Sequence, residues 1–227
     1  MYLVSKVGIA LLVEVAFFAA LLFGAAGTTR WPSGWAFLIL FTLAAVVIIA
    51  MLAKHDPALL AERMKAYNQK GQPLWDRIFL IVLSFVWIGW LVLMGLNAVR
   101  YRWTSMPPWL QVIGAVGYIV SNAGMYRIFQ ENAFLAPVVK LQQDRGQTVV
   151  STGPYSIVRH PMYATALLYF ISMALLLGSW YGILVSLFLD IALVFRTFME
   201  DRLLQRELPG YVDYTVRVRY RLIPHVW

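Results

Sequence analysis

Two polar motifs near the end of the chain carry residue types that can bind and orient a charged ligand. The first, Gly153 to Tyr163, reads Gly-Pro-Tyr-Ser-Ile-Val-Arg-His-Pro-Met-Tyr, and the second, Arg196 to Glu200, reads Arg-Thr-Phe-Met-Glu. Because Arg196 and Glu200 are four residues apart, they share one face of a helix. The carboxylate suits an ammonium group, the guanidinium suits a carboxylate through two parallel hydrogen bonds, and the tyrosine rings suit a cationic centre.

The segment between the motifs predicts how they meet. Apolar runs at Pro161–Leu177 and Gly182–Phe195 are joined by the short turn Gly178–Gly182, which is typical of an antiparallel helical hairpin. His160 lies eighteen residues before the turn and Glu200 eighteen residues after it. Equal helix lengths return both residues to the same height, so we expect one polar site at one membrane surface.

The composition is that of an integral membrane protein. Of 227 residues, 61% are hydrophobic and 13% charged, whereas about a quarter are charged in soluble proteins. A helix needs roughly 20 apolar residues to cross the hydrocarbon. We therefore predict an all-α integral membrane fold with about six transmembrane helices, at about 7–26, 35–53, 78–98, 109–129, 162–177 and 182–195.

The basic residues are distributed unequally between the two sides of this fold. With six spans, sixteen of the nineteen Lys and Arg residues fall on one side, and only Arg30, Arg100 and Arg102 fall on the other. The positive-inside rule then predicts that both termini and both motifs face the cytoplasm, across the inner membrane if the source is bacterial. Because this asymmetry accounts for the net charge of +8, we expect no nucleic-acid partner. The absence of cysteine removes thiolate nucleophiles and Cys-ligated metals.

Three further features have structural interpretations. For Glu14 and Asp190, which lie inside predicted spans, an interhelical hydrogen bond is favoured over catalysis. The stretch 128–159 is too polar and too rich in turn residues to cross the bilayer, and it is expected to form one wall of a pocket. Arginines at 217, 219 and 221 are interpreted as a basic strip that touches lipid phosphates.

The motif residues resemble a known family. Arg159-His-Pro-Met-Tyr163 after Gly153-Pro-Tyr155, followed by a helical hairpin and then Glu200-Asp201, is similar to the membrane methyltransferases of the isoprenylcysteine carboxyl methyltransferase and phospholipid methyltransferase group. The resemblance is strong from about Gln142 to Trp227. Asp201 departs from the group, which usually has a second glutamate there.

The resemblance implies a cofactor, a set of site residues and a division of the chain. It implies catalytic roles for Arg159 and Arg196, with Arg196 also on the substrate side, and no metal. The chain would be a single membrane domain, 1–227, with a four-helix scaffold at 1–129 and the cofactor loop, hairpin and C-terminal catalytic region at 130–227. S-adenosyl-L-methionine would be bound by Gln143 (or Gln142), Gln147, Thr148, Val149, Val150, Tyr155, His160, Pro161, Met162, Tyr163 and Glu200.

The methyl acceptor would be presented from the bilayer. A carboxylate is already ionised at neutral pH and needs no general base, so we favour an isoprenylcysteine-like or other lipid-linked acid. The expected partners are a lipophilic or prenylated substrate and membrane lipids. Alternatives are N-methylation of a phospholipid amine, an NADPH-dependent reductase of the sterol-reductase type, and a non-enzymatic transporter.

Overall fold

The computed structural model describes residues 2–227, with side chains from residue 5 onward. All regular structure in this part of the chain is helical, and no strand occurs in it, which confirms the predicted all-α fold. The α-helices are α1 (Tyr2–Ala26), α2 (Pro32–His55), α3 (Pro57–Arg63), α4 (Leu74–Gly95), α5 (Pro108–Glu131), α6 (Pro161–Leu176), α7 (Trp180–Glu207) and α8 (Tyr211–Arg217). A π-helical turn extends α4 at 96–100, and 3₁₀ turns occupy 143–145 and 153–156.

Five of these helices, α1, α2, α4, α5 and α7, are long and apolar enough to cross a membrane. Their outer surfaces expose large apolar side chains, such as Leu12, Phe85 and Ile191, which suits contact with lipid. The protein is therefore a multi-pass membrane protein. The predicted span at 162–177, the fifth of the six, is also a helix, but α6 has only 16 residues.

The lengths of α6 and α7 place the start of α6 near the edge of the hydrocarbon. At 1.5 Å per residue, α6 is about 24 Å long, against roughly 30 Å of hydrocarbon. Its partner α7 has 28 residues and a length of about 42 Å, so its last turns project into the aqueous region. α7 ends at Glu207, beyond the predicted apolar run.

Glycines on α5 allow α6 to approach closely. A Cβ on Gly114 would lie 2.3 Å from the main-chain nitrogen of Leu176, and a Cβ on Gly117 would lie 2.3 Å from Ser172 Oγ. Residues three or four apart share one face of a helix, so Gly114 and Gly117 both face α6. Gly124 lies on the same face, and a Cβ there would lie 3.2 Å from the side chain of Thr165. Glycine at these positions lets the two helix backbones approach closely, and such close packing stabilises helix–helix contacts in lipid.

The turn of the hairpin is anchored to α4. Ser179 caps α7 by accepting a hydrogen bond from Gly182 N (2.9 Å), and its hydroxyl donates to Asn97 Oδ1 (2.7 Å). About two turns earlier, on α4, Trp90 Nε1 donates to Gly182 O (2.8 Å). Gly178 occupies the left-handed region at φ +76°, which ends α6 as predicted.

The contact between α5 and α6 makes a testable prediction. Gly114→Ala forces a methyl group against the main chain of Leu175–Leu176, and overpacking of this kind costs about 1–3 kcal/mol. We expect a lower unfolding temperature of the detergent-purified protein, measured by intrinsic fluorescence. Gly89→Ala in α4 is the matched control, because no atom lies within 4 Å of a Cβ there. Equal unfolding temperatures for the two variants would contradict the close packing.

Candidate functional site

A pocket lies where the start of α6 and the late turns of α7 meet two segments that wrap around them. These segments are the connection between α5 and α6, and α8. The pocket has a volume of about 80 Å³ and is partly open to solvent. Nine residues of the predicted cofactor set line it, namely Gln147, Thr148, Val149, Val150, Tyr155, His160, Met162, Tyr163 and Glu200.

Two residues of the predicted set do not line the pocket. Pro161 is buried in the first turn of α6, and Gln143 is exposed in a 3₁₀ turn. The neighbouring Gln142 is buried and holds the connection in shape, because its Nε2 donates to Phe134 O (2.5 Å) and its Oε1 accepts from Arg145 Nη1 (2.6 Å). The geometry therefore gives Gln142 a structural role and does not bring Gln143 to the pocket.

Glu200 presents a carboxylate to the pocket. Tyr163 OH donates to Glu200 Oε2 at 2.5 Å, across the hairpin as the equal helix lengths predict. In the part of the chain with described side chains, no Lys, Arg or His side chain lies within ion-pair distance of Glu200. The carboxylate is thus positioned by a neutral phenol and keeps its capacity to pair with an ammonium group.

Arg196 lies one turn deeper and is held by a residue that the sequence analysis did not identify. Its Nε donates to Asp76 Oδ1 (3.0 Å) and its Nη2 to Pro137 O (3.3 Å), while its guanidinium lies 5.6 Å from the centroid of the Tyr163 ring. Asp76 is fully buried, and its other oxygen accepts from Val139 N (2.9 Å) on the pocket wall. An aspartate in the first turn of a helix is ordinarily explained by the helix dipole, so nothing in its sequence position signals this pairing.

Asp201 is the hub of the site. It is fully buried. Arg159 donates to it from Nε to Oδ1 (2.8 Å) and from Nη2 to Oδ2 (3.1 Å). Arg221 Nε donates to Oδ2 from the other side at 2.9 Å, and Gln205 Nε2 donates to the same oxygen at 2.7 Å. The interpretation of the C-terminal arginines as a lipid-facing strip is therefore wrong for Arg221, which pairs inside the protein.

Arg159 lines the pocket, but its guanidinium is almost fully engaged. Besides Asp201, it donates from Nη1 to Val218 O and Arg219 O, both at 2.8 Å. Burial alone would lower the pKa of Arg159, and the Asp201 carboxylate more than compensates and raises it. The contacts assign Arg159 to holding the C-terminal segment against α7, and its predicted catalytic role gains no support from them.

His160 joins the same network at the start of α6. The main-chain N–H groups of Arg159 and His160 donate to Tyr220 O and Arg221 O, both at 2.9 Å, so the C-terminal segment runs beside them. His160 Nε2 lies 3.2 Å from both Asp201 Oδ1 and Tyr211 OH. Burial, followed by the Asp201 charge, raises the pKa of Tyr211, which keeps this phenol protonated as it donates to Asp201 at 3.0 Å.

Two further residues of the pocket wall were missed by the sequence analysis. Asn132 Nδ2 donates to Tyr155 OH (2.8 Å) and so orients the ring of a predicted cofactor residue. Lys140 Nζ lies 2.6 Å from Glu62 Oε1, which is buried on α3. Burial raises the pKa of Glu62, but its contacts with Lys140 and Lys65 outweigh this and hold the pKa below its usual value.

The two intramembrane carboxylates do not make the predicted interhelical hydrogen bonds. Asp190 Oδ1 is buried without a partner, and within the described side chains Glu14 makes no hydrogen bond. Their predicted role is therefore wrong, and Glu14 is considered again below.

Comparison with known proteins agrees with the geometry. The phospholipid methyltransferase family matches residues 111–209, a stretch that holds most of α5, the connection, α6 and α7. No curated protein matches the chain. This stretch matches the integral membrane methyltransferase group that the motifs resemble, and the match supports a multi-pass membrane methyltransferase. It favours this class over the reductase and transporter alternatives.

The hub predicts the effect of removing one charge. Asp201→Asn leaves Arg159 and Arg221 without their buried anion, and breaking a buried ion pair costs about 3–5 kcal/mol. We expect a lower unfolding temperature and release of the C-terminal segment, seen as new tryptic cleavage at Arg217, Arg219 and Arg221. Glu207→Gln, at the exposed end of the same helix, is the control. An Asp201→Asn protein with the wild-type cleavage pattern would refute the hub.

Proposed function

We propose that the protein transfers a methyl group from S-adenosyl-L-methionine to the carboxylate of a lipidic acid presented from the bilayer. The acceptor would be an isoprenylcysteine-like or other lipid-linked acid. One observation carries the proposal: nine residues that the resemblance assigns to the cofactor line one pocket at the edge of the hydrocarbon. A polar donor can reach this place from water, and an apolar acceptor can reach it from lipid.

The residues of the pocket fit the donor. Glu200 would hold the amino group, and the aromatic faces of Tyr155 and Tyr163 suit the cationic sulfonium. When bound, the donor supplies an electrophilic methyl group.

The acceptor side favours a group that arrives already deprotonated. Nε2 of His160, the most obvious base, is shared between Asp201 and Tyr211. An ionised carboxylate needs no base, so the contribution of the protein would be to position the acceptor and exclude water. Arg196, on the hydrocarbon side of Glu200 and oriented by Asp76, would receive the acceptor carboxylate, while Arg159 would act as a positioning residue.

N-methylation of a phospholipid amine is the second candidate, and two observations favour it. The matching family is described as phospholipid methyltransferase. In addition, Asp76 lies 3.0 Å from the Arg196 guanidinium and offsets much of the positive charge that would attract an anionic acceptor.

The proposal also includes the topology. We keep both termini and the pocket on the cytoplasmic side, supported by the asymmetry of the basic residues. We also treat residues 1–227 as one domain, because α3 contacts the pocket wall through Glu62 and Lys140.

Two variants separate donor binding from turnover. Glu200→Gln removes the charge that would pair with the donor amino group, and hydrogen bonds to charged groups contribute about 1.5–3 kcal/mol, so we expect roughly 10- to 100-fold weaker binding of S-adenosylhomocysteine by calorimetry. Arg196→Lys should retain that affinity and lose turnover. Glu207→Gln is the control for charge alone. Unchanged affinity in Glu200→Gln would remove Glu200 from the donor site.

The acceptor class is tested with tritium-labelled donor. Purified protein in mixed micelles is offered a farnesylated cysteine derivative or phosphatidylethanolamine. We expect label on the acid, released as volatile methanol by alkali, because methyl esters hydrolyse and N-methyl groups do not. Alkali-stable label on phosphatidylethanolamine would establish the amine candidate. Label on neither, with donor binding intact, would exclude both acceptors.

A further inference from the structure

A second cavity opens between α1 and α2 toward the membrane, away from the pocket. It has a volume of about 280 Å³ and shares no lining residue with the donor pocket. Its walls are apolar for most of their length and include Val7, Leu11, Ile48, Leu52 and Phe129. We call this cavity the lateral cleft. Neither the motifs nor the proposed reaction accounts for it.

A cation without a counter-ion lies at the cytosolic end of the lateral cleft. Arg63, the last residue of α3, lines the cleft, donates from Nη1 to Leu135 O (3.2 Å) and lies 4.6 Å above the centroid of the Phe129 ring. No carboxylate of a described residue forms an ion pair with it. Burial lowers the pKa of Arg63, which is the mark of a desolvated charge without a compensating anion.

The nearest acidic residue in sequence does not supply that anion. Glu62 precedes Arg63, but its two carboxylate oxygens are engaged by Lys65 and Lys140, both at 2.6 Å. Desolvating a guanidinium is costly unless an anion pairs with it. The missing partner of Arg63 therefore has to come from outside the chain.

The far end of the lateral cleft reaches into the membrane interior. Glu14 lines it there together with Asn122 and Tyr169, and seven residues of helix, about 10 Å, separate Val7 from Glu14. The cleft thus has a cation at one end and mostly apolar walls along the helices below it. This is the shape and charge of a site for one amphiphile with an anionic head.

We propose that the lateral cleft holds an anionic phospholipid of the surrounding bilayer, with its phosphate on Arg63 and one acyl chain between α1 and α2. The source is the bilayer because the cleft opens beside faces of α1 and α2 that expose Leu12, Val13 and Val47 to lipid. The lipid joins α1, α2 and α3 and is not methylated. The proposal does not depend on which acceptor the enzyme uses.

The test is native mass spectrometry of delipidated protein given phosphatidylglycerol and phosphatidylcholine with identical chains. We expect one retained lipid, with phosphatidylglycerol preferred about fivefold, the ratio for one basic residue near a lipid phosphate. Arg63→Gln should abolish the preference and Arg63→Lys should keep most of it. Ala45→Phe should fill the cleft and remove retention of both lipids. Arg202→Gln, an exposed arginine on α7, should change nothing.

Several outcomes would overturn the proposal. Equal retention of the two lipids by the wild-type protein excludes an anion site, and an unchanged preference in Arg63→Gln places the site elsewhere. Label transferred from the methyl donor to the retained lipid would make the lateral cleft an acceptor site. If Arg63→Gln does not fold, Arg63→Lys and Ala45→Phe decide the matter, with unchanged S-adenosylhomocysteine binding as evidence of an intact fold.

Discussion

The carboxylate of Asp201 connects the three parts of the chain that enclose the pocket. It belongs to α7, and its partners come from the residues before α6 and from the C-terminal segment. Two arginines approach it from different sides, so neither has to be buried alone. An unpaired buried guanidinium is energetically costly. The C-terminal segment and the start of α6 are therefore stable in their observed positions only when both are present. The short aspartate side chain can reach all of these partners, because they converge on its carboxylate.

Depth in the membrane is the second constraint on the site. The shortness of α6 brings its first residues, including His160, to about the edge of the hydrocarbon, while α7 continues past that level. Close packing of α5 on α6 continues through Gly124 at Thr165, near the start of α6, and places the connection between these helices beside that start. A pocket with aqueous access forms directly beside lipid, which is where a soluble methyl donor and a lipidic acceptor can meet.

Two more ion pairs attach the scaffold to this pocket. Asp76 of α4 pairs with Arg196, and Glu62 of α3 pairs with Lys140 on the pocket wall. Each pair links the first half of the chain to the second, so α3 and α4 take part in shaping the site. The Asp76 pair also bears on the proposed chemistry, because a charge-compensated Arg196 would orient an acceptor more than it would attract one.

Much of this architecture follows from the sequence, because it depends on local geometry. Six apolar runs predict six helices, and a fixed rise per residue on either side of a short turn predicts that His160 and Glu200 meet. Tyr155, His160, Tyr163 and Glu200 line one pocket for the same reason. The ion-pair partners could not be predicted in this way. With nineteen basic and eleven acidic residues, the pairing of Asp76 with Arg196, 120 positions apart, depends on how distant helices pack. The same packing engages Arg159 and Arg221 with Asp201, leaves Gln143 outside the pocket and leaves Arg63 without a partner, since burial and distance across helices arise only when the whole bundle is assembled.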